Sequence, residues 1–290
     1  VTLKNLQPAA LAPSTTLIAE CKKHTCFSGT TKTLISLLER RQIEKRREVV
    51  KLARTRVSRT PEFREVVYSE EHWRLLRELR EKAQRIMEVF ASNNIEAWLH
   101  GSVARGDVKK TSDVDIVLPR KVPGYLIEHL LERAGFKPYA RYLVAATPTS
   151  TIKAYIMLDE EERISVNFPL TDFKPIELEF YKFGGYITYN ELLEDKRVPG
   201  VNKNLVLIIP TPMGHKELPV IGYESYVAEF LGVSIEVVLE RVEVLTRRDE
   251  VGRTGIYAKL ALAPDEGIEE GLRRLLRERP LLRKIHADSL

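Results

Sequence analysis

Gly101-Ser102 and Asp113-Val114-Asp115 are the residues of this chain best suited to chemistry, with the ten residues Val103 to Ser112 between them. Asn94 to His100 reads as a short strand that ends at Gly101. Glycine there lets the backbone turn tightly and approach a ligand. Ser102 offers a hydroxyl, and the turn that follows offers free backbone N–H groups, an arrangement that binds anions. Asp113-Val114-Asp115-Ile116-Val117-Leu118 alternates as a strand does, and residues two apart point to one face. Asp113 and Asp115 therefore present two carboxylates side by side. Like charges that close are costly unless a cation lies between them. Hard divalent ions such as magnesium take oxygen ligands of this kind. Aspartate also suits a strand poorly without such a reason.

The pattern resembles the signature of the DNA polymerase beta-like nucleotidyltransferase superfamily, which is Gly-Ser, about ten residues, then Asp-x-Asp on a strand. Gly101, Ser102, Asp113 and Asp115 match it, and the flanking Arg105, Gly106 and Ser112 suit it. A looser resemblance extends over residues 85–190. The resemblance implies an α+β fold with a mixed sheet. It implies a metal-dependent transfer of a nucleoside monophosphate from a nucleoside triphosphate to a hydroxyl acceptor, with release of pyrophosphate. Asp113 and Asp115 would hold Mg2+ or Mn2+, while Gly101, Ser102, Arg105 and Ser112 would contact the nucleotide. A third carboxylate is implied on a later strand. Ile176 to Phe183 reads as such a strand, with Glu177 and Glu179 on one face. Glu179, followed by Phe-Tyr-Lys-Phe, is the first choice as third metal ligand and base, and Glu177 the second. The family more often has Asp there.

The elements that must position these groups follow from periodicity. Ser69 caps a helix to Ala91 with a stripe of Trp73, Leu76, Leu79, Ala83, Ile86, Met87 and Phe90. A helix over residues 125–134 ends at Gly135. Strands are expected at 139–145, 151–158, 164–168, 176–183 and 204–209, a short helix at 190–195, and helices at 224–231, 234–246 and 268–278. Pro210, Pro212 and Gly214 read as an irregular loop that contains His215. Pro199-Gly200 is a candidate boundary. The expected organisation is a basic, partly helical extension (1–60), a catalytic domain (61–198) and an α-rich C-terminal domain (199–290).

Length and composition bound the rest. With 290 residues, two domains or one decorated domain are expected, and 43% apolar with 30% charged residues is a globular profile. No apolar run reaches the roughly 18 residues that span a bilayer, and Val1 to Ala19 lacks the pattern of a secretory signal, so a cytoplasmic location is expected. The net charge of +5 is uneven. From Arg40 to Arg59 nine basic residues face only Glu44 and Glu48, a segment able to track a phosphate backbone. RNA is therefore the favoured acceptor. Cys21, His24 and Cys26 lack a second ligand pair for a structural zinc site. Residues 226–238 have the spacing of a helix-turn-helix, but Glu236, Glu240 and Glu243 on the second helix would repel DNA. A plain helix pair is expected. The competing functional reading is a nucleic-acid-binding or antitoxin-like partner protein on the same scaffold.

Overall fold

A seven-stranded mixed sheet carries the Asp-x-Asp pair. In the computed structural model, which describes residues 57–58, 63–252 and 255–289, its strands in spatial order are β11 (Ala258–Ala261), β4 (Ala140–Ala145), β5 (Lys153–Met157), β6 (Ile164–Pro169), β3 (Val114–Val117), β2 (Trp98–His100) and β7 (Tyr186–Thr188). The pair β3–β6 is parallel, and every other pair is antiparallel. Alternation along the strands splits the sheet into two faces. One face buries Leu99, Ile116, Ile156, Val166 and Phe168 in the main core. The other face carries Asp115.

Helices α1 (Glu70–Ala91), α3 (Gly124–Arg133) and α8 (Ile268–Glu278) contribute to the main core. Ser69 caps α1, its hydroxyl accepting from the His72 N–H. The expected stripe holds: Leu76, Ala83, Ile86, Met87 and Phe90 are buried, and Trp73 packs at the margin of the core. Arg80 is the exception, a buried cation on the same helix. Its guanidinium donates to the carbonyls of Val103, Ala104 and Lys196 and to Asp195. Two of those carbonyls belong to α2 (Ser102–Arg105), the turn of helix that follows Gly101. Arg80 thus satisfies the end of the short helix that presents Ser102.

A second, antiparallel sheet has the order β1 (Arg64–Val67), β10 (Gly214–Pro219), β9 (Val206–Thr211), β8 (Gly200–Val201). Helices α6 (Glu224–Leu231) and α7 (Ile235–Val251) cover it through Leu207, Leu218, Val220, Val227, Leu231 and Val238. Among the described residues no helix is long and apolar enough to cross a membrane.

The structure corrects several sequence expectations. Residues 176–183 are not a strand but lie in helix α4 (Pro175–Gly184). Pro175 at the first turn, Glu177 at the third position bonded back to Lys174, and Gly184-Gly185 at the end are helix start and stop signals, and they outweigh the short alternation. His215 lies on strand β10, in a hairpin turned at Pro212-Met213. Elements from both sides of Pro199-Gly200 share both sheets. Residues 54–290 form one compact unit, β1 pairs with β10, and β11 returns to the main sheet beside β4. The basic segment 40–59 lies, except for Val57 and Ser58, outside the described residues, as does the Cys21–Cys26 cluster.

Removing the Arg80 side chain strands buried carbonyls at the end of α2. Arg80→Met is expected to lower the unfolding free energy by about 2–4 kcal/mol, read as a lower urea midpoint at unchanged slope. A loss below about 1 kcal/mol would mean that water replaces the guanidinium.

Candidate functional site

Gly101 takes φ 86°, the region that glycine enters without a side-chain penalty. The kink turns the chain from β2 into α2. The N–H groups of Ser102 and Val103 are those that the helix start leaves without an intrahelical acceptor. The Ser102 hydroxyl donates to the Ser112 hydroxyl at 3.0 Å, and Ser112 in turn accepts from the Lys109 N–H at 2.9 Å. These two bonds fold the loop 106–112 back on itself and bring the Gly-Ser turn to the start of β3. Gly101, Ser102, Ser112, Asp113 and Asp115 are therefore brought together.

Asp115 sits in a row across three strands, with His100 opposite on β2 and Ser165 opposite on β6. Directly opposite residues share a sheet face. Ser165 donates to Asp115 Oδ1 at 2.9 Å. Burial raises the Asp115 carboxyl above the usual range, and the charge of Asp113 adds to this, while the Ser165 bond and Lys203 work against it. The Lys203 ammonium stands 4.0 Å from Asp113 Oδ2 and is 89% exposed. That contact contributes little by itself. The two acids are thus a cluster of negative charge with weak compensation from the protein.

Helix α4 lies over the face that carries Asp115. Tyr181 packs edge-on against both His100 and Trp98, and its hydroxyl accepts from the Lys153 ammonium at 2.9 Å. Burial lowers the Lys153 pKa and raises that of Tyr155, to about 12. His100 is half-buried, with its Nε2 enclosed. Burial, then Arg105 and Lys153, push its pKa down to about 3, and its Nε2 has no hydrogen-bond partner among the described residues. Gly184 makes this fit possible, because a Cβ there would lie 2.3 Å from His100 Nε2.

Three expected site residues stand elsewhere. Arg105 is buried and engaged within the protein: its guanidinium grips Asp107 through two nitrogens at 3.0 and 3.1 Å and donates to the Gly184 carbonyl. It braces α2 against the end of α4. Glu177 accepts from the backbone N–H and hydroxyl of Thr151 and from the Lys174 N–H, as a helix-capping residue. Glu179 accepts from the N–H and hydroxyl of Ser234, bonds that hold its pKa below the usual value. With residues 176–183 helical, the two glutamates cannot share a strand face. On β6, the strand parallel to β3, the residues opposite Asp115 and Val117 are Ser165 and Asn167. No group of three His, Cys, Asp or Glu side chains able to hold a metal forms among the described residues. Sequence reading missed Arg80, Ser165 and His100. For His100 the register of a strand ending in Gly-Ser was an available signal.

His100 supplies a pH test of this geometry. The ring binds a proton at about 6.5 when unfolded and at about 3 when folded. Between those values the unfolded state holds more protons, so stability falls as pH falls through the window, by up to about 1.4 kcal/mol per unit from this group. With EDTA present, His100→Leu is expected to show a shallower loss of urea stability from pH 6 to pH 4 than the parent. Parallel curves would place His100 in water.

Comparison with known proteins follows the motif. Residues 74–165 match the family model described as nucleotidyltransferase domain, consistent with the polymerase beta-like nucleotidyltransferase superfamily. The match runs from helix α1 to Ser165 on β6. No curated protein and no solved structure matches the chain.

Proposed function

We propose that this nucleotidyltransferase domain moves a nucleoside monophosphate from a nucleoside triphosphate, ATP among the candidates, to a hydroxyl acceptor with release of pyrophosphate, and that RNA is the favoured acceptor. The observation that carries this reading is the Asp113–Asp115 pair at the mouth of the Gly101-Ser102 turn. Nucleotidyltransferase-type activity in general is supported by the family match. The basic excess of residues 40–59 favours RNA.

The donor set fits one hard divalent ion. Among the described residues, Asp113 and Asp115 offer carboxylate oxygens with no closer cation than the exposed Lys203, and phosphate and water oxygens complete such a shell in many magnesium sites. When bound, Mg2+ or Mn2+ would polarise the phosphoryl oxygens of the nucleotide. The chain's own groups do the remaining work. The Ser102 hydroxyl and the N–H groups of the turn hold phosphate oxygens, and Ser112 orients Ser102. Lys203 adds positive charge beside the triphosphate. Ser165 fixes the Asp115 rotamer, and α4 excludes water from the buried side of the carboxylate. The whole arrangement acts by positioning and charge neutralisation.

A second reading, a nucleotide-binding partner protein without transfer, is favoured by one observation. Ser165 and Asn167 occupy β6 where a strand neighbour of the Asp-x-Asp pair would offer a further acid. Incubation with α-labelled nucleoside triphosphates, magnesium and total RNA separates the two. Transfer is expected in the parent, with at least a hundredfold loss in Asp113→Asn and Asp115→Asn and with thermal unfolding preserved. Magnesium-dependent nucleotide binding without label transfer would establish the second reading.

A further inference from the structure

On the side of the loop 106–112 that faces the small sheet lies a cavity of about 470 Å³, lined from β1, β10, the loop itself and the Asn202–Val206 turn. Its charges are not balanced. Two carboxylates reach it: Asp107, held by the Arg105 fork, and Glu217, which faces Arg64 across the β1–β10 ladder and accepts from His215 Nε2 at 3.2 Å, so the positive excess is the Lys109 ammonium. His215 is buried, and its Nδ1 bonds the Tyr68 hydroxyl at 2.7 Å. The Nε2–H tautomer satisfies both contacts. Arg64 and Lys109 also line the cavity, both exposed, and neither has a carboxylate within ion-pair distance among the described residues. One guanidinium and one ammonium facing a shared space suit a phosphate. The remaining wall supplies what a nucleoside needs. Asn202 uses its carbonyl oxygen on the N–H groups of Asn204 and Val206, which leaves its amide NH2 for a ligand. Val66 and Val206 give an apolar strip beside it.

We propose that this cavity binds a phosphomonoester of nucleotide size, with the phosphate on Arg64 and Lys109 and the nucleoside toward Asn202, separately from the triphosphate at Asp113 and Asp115. The phosphate belongs to a free nucleoside monophosphate or to the 5′ end of an RNA. The site is joined to the Gly-Ser turn by the Lys109 N–H to Ser112 to Ser102 bonds. Occupancy at Lys109 therefore bears on the residue that holds Ser102.

Calorimetric titration of the full chain with AMP tests the assignment, with adenosine and a 5′-phosphorylated trinucleotide as companion probes. AMP is expected to bind at least tenfold more tightly than adenosine. Arg64→Glu and Lys109→Glu, both at exposed positions, should each weaken AMP at least tenfold, while Asp115→Asn leaves it unchanged. Unaltered AMP affinity in both charge reversals would overturn the proposal, as would loss of AMP binding in Asp115→Asn. Tighter binding of the trinucleotide than of AMP, sensitive to the same two residues, assigns the phosphate to an RNA end, and weaker binding assigns it to the free nucleotide. ATP with magnesium on the same proteins keeps this result apart from the transferase reading. AMP binding without ATP binding removes only the latter, and ATP binding without AMP binding removes only this cavity.

Discussion

Two carboxylates with little compensating charge, on one short strand, are the constraint around which this structure is arranged. Asp115 lies on the covered face of β3, where burial and Asp113 both disfavour its ionised form. Such a pair destabilises a fold unless something offsets it. The protein itself offers one hydroxyl, Ser165, and a solvent-exposed lysine. The small compensation is what makes the pair a reading for a cation and a phosphate, because a pair kept for stability alone would be expected to carry a buried basic partner.

The surrounding parts hold that cluster in place without neutralising it. Arg80 closes the end of α2 from the core side, and Arg105 ties the same turn to α4 through Gly184 and to the loop through Asp107. Two buried arginines thus fix the Gly-Ser turn by gripping backbone carbonyls and two aspartates, Asp195 and Asp107, and both guanidiniums are fully engaged. Cations that face open space come from the periphery: Lys203 beside Asp113, and Arg64 and Lys109 at the neighbouring cavity. Brace and binding surface are built from the same residue types, told apart by burial.

Much of the framework was legible in the sequence because it rests on local rules. The Ser69 cap and stripe of α1, the strands of residues 140–169, and the Gly101 turn follow from periodicity and backbone preference. Other features depended on contacts distant in sequence. Glu177 and Glu179 alternate with apolar residues, so residues 176–183 resemble a strand, but Pro175 and the capping bond of Glu177 start a helix instead. Arg105 looks like a phosphate ligand beside Gly-Ser, and only the fold brings Gly184 within its reach. The expected third carboxylate was placed on a strand over residues 176–183, which are helical, and the residue that the β3–β6 pairing sets beside Asp115 is Ser165. The return of β11 to the main sheet carried no local signal, since a strand of four residues gains its order from its neighbour.

The central claim is that Asp113 and Asp115 hold a divalent ion together with a triphosphate. The most direct measurement is a crystal structure with Mn2+ and an α,β-methylene nucleoside triphosphate, read by manganese anomalous scattering. A peak is expected within ligand distance of Asp113 and Asp115, with the triphosphate against Ser102. A bound nucleotide with no anomalous peak between the two aspartates, or with its phosphates away from the Gly101-Ser102 turn, would contradict the claim.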